Sequence, residues 1–149
     1  MAVSGPLTRQ PPARNSTLRW LALPILAVWG VEIYLGNSLA LESGPYATNV
    51  LTAHEGVGLL LIVFSAAALA WAVRLRNPRG IVAAVFCFLP SVGAEISGAV
   101  FIWGGQDPTP LHLMEGLAVV VLIGILLLLA WGSVPRARAG SPVPWSGKA

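Results

Sequence analysis

Four runs of apolar residues, at 18–41, 50–73, 81–103 and 111–134, alternate with short polar connections along the chain. Each run is long enough to cross roughly 30 Å of hydrocarbon as a helix rising about 1.5 Å per residue. The pattern predicts an all-α, integral membrane four-helix bundle running up-down-up-down. The connections are Glu42-Ser43-Gly44-Pro45-Tyr46-Ala47-Thr48-Asn49, the basic turn Arg74-Leu75-Arg76-Asn77-Pro78-Arg79-Gly80, and Gly104-Gly105-Gln106-Asp107-Pro108-Thr109-Pro110. Pro24 and Pro90 fall inside the first and third runs, where a membrane bundle tolerates the lost backbone bond. Pro110 is expected as the first residue of the last helix, where a missing N–H is harmless. The flanking segments, 1–17 and 135–149, are aperiodic and read as cytoplasmic tails. The first run is too long for a cleaved signal peptide and lacks a small-residue cleavage site.

Composition makes the membrane assignment firmer. The 149 residues are 56% hydrophobic and only 10% charged, with a mean hydropathy of +0.76; a soluble domain is about one-quarter charged. The basic pI of about 9.8 does not indicate nucleic acid, because no basic cluster stands beside exposed aromatics. The nine Lys and Arg instead fall on one side: Arg9, Arg14, Arg19, Arg74, Arg76, Arg79, Arg136, Arg138 and Lys148. The opposite connections carry Glu42 and Asp107 and no basic residue. The positive-inside rule then places both termini in the cytoplasm, with Trp20, Trp71 and Trp131 at the inner interface and Trp103 at the outer one. The expected location is the plasma membrane of a prokaryote, with membrane lipid as the immediate surroundings.

Against this background the polar residues inside the runs stand out, since ionisable groups there are functional candidates by default. Four of the six acidic residues lie within spans: Glu32, Glu55, Glu95 and Glu115. The only two histidines join them, in Thr52-Ala53-His54-Glu55-Gly56-Val57-Gly58 and His112-Leu113-Met114-Glu115-Gly116. Measured from the outer span ends, His54 and Glu55 lie about 6–8 Å deep, His112 and Glu115 about 2–6 Å, and Glu32 and Glu95 about 12–15 Å. Glu32-Ile33 matches Glu95-Ile96, and Glu55-Gly56 matches Glu115-Gly116, so the two hairpins read as duplicated copies. Gly36, Gly56, Gly58, Ser91 and Gly98 supply small neighbours that let helices approach or leave room for a flat ligand. The single cysteine, Cys87, forms no intrachain disulfide and reads as packing. Met114 is a candidate axial ligand by its thioether, but a lone methionine in an apolar helix ordinarily serves packing.

Three functions fit this inventory. In the first, His54 and His112 are axial ligands to the iron of a haem b between the second and fourth helices, with Glu55 or Glu115 orienting an imidazole. That protein would act in electron transfer or haem handling, with a quinone or redox partner. In the second, Glu32, Glu55, Glu95 and Glu115 with the histidines hold a divalent metal ion or protons. In the third, these residues sit at wet helix ends and the chain is a non-catalytic structural membrane subunit.

The histidine-headed second and fourth helices resemble one half of the haem A synthase family. His54-Glu55-Gly56-Val57-Gly58-Leu59-Leu60 is similar to that family's His-Arg-x-x-Gly helix start, and His112-Leu113-Met114-Glu115-Gly116-Leu117-Ala118 to its later His-Leu helix. The resemblance spans residues 18–134 and implies a four-helix, haem-binding unit with His54 and His112 as the ligands.

Overall fold

A computed structural model describes residues 14–15, 17–41, 45–104, 108–132 and 134–135. Expectations for the rest of the tails, for Glu42 and Asp107, and for the basic residues Arg9, Arg136, Arg138 and Lys148 concern positions outside the described residues. Four helices make up the fold: α1 (Thr17–Leu41), α2 (Pro45–Arg74), α3 (Pro78–Trp103) and α4 (Pro108–Trp131). All four are long and apolar enough to cross a membrane. Each packs on its neighbours in cyclic order, α1 on α2, α2 on α3, α3 on α4 and α4 on α1. The predicted up-down-up-down bundle is the architecture observed.

The helix boundaries differ from the apolar runs in instructive ways. α2 begins at Pro45, five residues before the second run, because Tyr46, Thr48 and Asn49 can satisfy helical backbone geometry without being hydrophobic. α3 begins at Pro78 inside the basic turn, with Asn77 as its cap: the Gly80 N–H donates to Asn77 Oδ1 at 3.1 Å, satisfying an otherwise orphaned donor. α4 starts at Pro108 rather than Pro110 and stops at Trp131. Beyond Gly132, Val134–Pro135 (β2) pairs antiparallel with Arg14–Asn15 (β1), so the described ends of the chain lie side by side.

The tight turn between α2 and α3 closes by two reverse bonds, Asn77 N–H to Ala72 O at 3.1 Å and Arg76 N–H to Val73 O at 2.9 Å. This is a Schellman termination, and Arg76 occupies its left-handed position with φ of 50°. The Asn77 amide also donates to Trp131 O at 3.4 Å, fastening the start of α3 to the end of α4.

Packing is uneven along the bundle. The buried core, including Ala22, Ile25, Ala68, Ala83, Cys87, Ile125 and Leu128, belongs to the half nearer the paired ends. Cys87 is a free, buried thiol there, in agreement with a packing role. A Cβ built on Gly124 would meet Cys87 N and Phe86 C at 2.7 Å; α3 and α4 touch through this missing methyl, as small residues permit between membrane helices. The opposite half, beyond Leu61 and Ser91, is open at its centre.

Candidate functional site

A cavity of about 520 Å³ occupies that open half and is lined by all four helices. Its walls are mostly apolar, and its polar groups are few: Glu32 and Asn37 from α1, His54 and Glu55 from α2, Ser91 and Glu95 from α3, and Glu115 from α4. This is the composition of a small-molecule or cofactor site, apolar with a small number of convergent polar groups. The lining follows helical spacing, for example Trp29, Glu32 and Gly36 along α1, and Ser91, Glu95, Gly98 and Ile102 along α3.

The earlier start of α2 alters the depths expected from hydropathy. Counted from Pro45, His54 lies about 13 Å along its helix, and Glu32 lies about the same distance before the end of α1. The two therefore meet: His54 Nδ1 is 3.1 Å from Glu32 Oε1, with both side chains largely buried. The approach is at ion-pair distance but is not aligned as a hydrogen bond, and neither Nδ1 nor Glu32 Oε2 has a hydrogen-bond partner among the described residues. The ring lies against Gly36, where a Cβ would stand 3.4 Å from His54 Cε1.

Glu95 joins from the third side. A Cβ on Gly58 would collide with the Glu95 carboxylate and would stand 3.2 Å from Glu32 Oε1. Two carboxylates thus reach one point above a glycine, with His54 one turn away on the same helix. Two acids meeting in an apolar interior need a positive charge or a proton between them.

The remaining predicted residues separate into two groups. Glu55 and Glu115 line the cavity and are exposed at its rim. His112 does not line it. Its side chain is 73% exposed and its Nδ1 is 3.4 Å from Glu115 Oε2, one turn along its own helix. The two histidines therefore do not line one cavity together: His54 stands on its wall and His112 is exposed outside it. Among the described residues, no three His, Cys, Asp or Glu groups are gathered to hold a metal ion. A haem makes a smaller demand, since its macrocycle supplies four iron ligands and the protein one or two. His54 is the histidine on the cavity wall; with Nδ1 beside the Glu32 carboxylate, Nε2, which lies 4.0 Å from a Cβ built on Gly36, is the ring nitrogen such a group would use.

Two lining residues escape a reading of charge and histidines alone. Trp29 spans α1 and α4, its indole N–H donating to Ala118 O at 3.0 Å; its position three residues before Glu32 was the available signal. Met114 lines the cavity where His112 does not.

Compared with known proteins, the chain matches no family model, and no curated protein or solved structure resembles it closely enough to count as a match.

Proposed function

We propose that this chain is a membrane b-type haem protein acting in electron transfer or haem handling, with His54 as an iron ligand. The observation that carries this reading is His54 on the cavity wall at the centre of a four-helix bundle, its Nδ1 against the Glu32 carboxylate. When bound, the haem supplies one-electron exchange at its iron. Glu32 orients the imidazole. Glu95, meeting Glu32 above Gly58, supplies a second acid for the proton that accompanies a change of charge. The positive-inside pattern puts the cavity in the outer half of a prokaryotic plasma membrane, with both termini cytoplasmic. Reporter fusions test that orientation: those at Gly44 and Gly105 are expected to report the outside and one at Asn77 the inside, and an external reading at Asn77 overturns it.

The test of the haem reading is the visible spectrum of protein purified in mild detergent from a haem-sufficient host. Sharp reduced bands of a low-spin b-type centre are expected, and His54→Ala should abolish them. Colourless wild-type protein overturns it. The convergence of Glu32 and Glu95 favours one second reading, a proton- or cation-binding site without haem. Its signature is a carboxylic-acid C=O band in the infrared spectrum of colourless protein, lost on Glu95→Gln.

A further inference from the structure

We infer that Met114, rather than His112, stands opposite His54 as the second iron ligand of the site. The inference rests on the haem reading above and specifies its coordination. It begins from the duplicated dipeptides. When Glu55-Gly56 is laid on Glu115-Gly116, the residue preceding each pair is His54 in one copy and Met114 in the other. His112, two positions earlier, has Thr52 as its counterpart.

The structure repeats this equivalence in space. His54 and Met114 both line the cavity, one from α2 and one from α4, helices that do not neighbour each other in the ring. Each rests on a glycine of the helix preceding its own. A Cβ on Gly36 of α1 would stand 3.4 Å from His54 Cε1, and one on Gly98 of α3 would stand 3.5 Å from Met114 Sδ. Gly36 follows Glu32 by four residues and Gly98 follows Glu95 by three, so each copy presents a glutamate, then a glycine seat, then a donor atom above it.

The donor chemistry is consistent with that geometry. A thioether is a neutral, polarisable ligand that needs neither deprotonation nor a partner to orient it, so it suits an apolar wall. Histidine with methionine is an established axial pair for haem and raises its reduction potential. The carboxylates around this cavity would act in the opposite direction by favouring the oxidised iron. A methionine in an apolar helix ordinarily serves packing; here it occupies the place that the other copy gives to the one buried histidine.

The experiment uses the full chain in detergent, comparing wild type with Met114→Leu, Met114→His and His112→Ala. Leucine conserves volume, so folding should survive. Wild type should be six-coordinate and low-spin, with the weak near-infrared band of sulfur-to-iron charge transfer. Met114→Leu should lose that band, become high-spin and gain rapid carbon monoxide binding in the reduced state. Met114→His should stay low-spin with a lower midpoint potential. His112→Ala should match wild type in every measurement. An unchanged spectrum in Met114→Leu, or a high-spin spectrum in His112→Ala, overturns the assignment of Met114 while leaving the haem reading in place. Absence of haem from wild type overturns both.

Discussion

The absence of a side chain at Gly58 shapes the site as much as any ionisable group does. A methyl there would enter the space where the Glu95 and Glu32 carboxylates meet, so Gly58→Ala should push them apart. On the proposed haem reading, the expected outcome is loss of most bound haem with the helices intact, read from the visible spectrum beside far-ultraviolet circular dichroism. Gly56, two residues earlier, has nothing within 4 Å of a built Cβ. Gly56→Ala should keep the cofactor and gain up to about 1 kcal/mol of stability from helix propensity. Glu32→Gln preserves shape but replaces the carboxylate beside His54; on the proposed haem reading, affinity should fall on the order of 10–100-fold, measured by titrating haem into apoprotein. Much of this site was legible in the sequence, because ionisable residues in apolar runs are few and each demands an explanation. What the count of histidines did not convey is placement: His54 lines the cavity, whereas His112 is exposed beside Glu115 and does not.

Each helix declares itself through hydropathy, but its ends obey backbone chemistry that hydropathy does not register. The start of α2 at Pro45 was hidden by polar residues, and that error of five residues made His54 look shallower than Glu32. The end of α4 had a visible marker in Gly132, a residue type enriched just past helix ends. Two element-level expectations follow. Arg76 holds a left-handed conformation that penalises a residue with a Cβ by about 1 kcal/mol. Arg76→Gly should therefore raise the unfolding free energy by about that amount, measured by thermal or denaturant unfolding in detergent. Gly124→Ala should do the reverse. Its Cβ would press on the backbone of Phe86 and Cys87, which cannot swing aside as a side chain would. A loss of about 1–3 kcal/mol is expected from such overpacking.

For the molecule as a whole, the bundle divides into a packed half and a hollow half, as expected where a site trades packing for room. Local opening should be easier where buried apolar contacts are fewer. Hydrogen exchange should thus show slower exchange at Ala83 to Cys87 and Ile125 to Leu128 than at Ala94 to Ile102. Equal protection along α3 would contradict the division. The short pairing of β1 with β2 has a consequence for connectivity. Because Arg14–Asn15 and Val134–Pro135 already lie side by side, a brief linker joining them would close the chain into a ring without straining any helix. The order of the helices in the sequence is then one of several possible readings of the same ring. A permuted gene that opens the α3–α4 turn at 105–107 and reads α4, α1, α2, α3 should insert, fold and rebuild the same cavity.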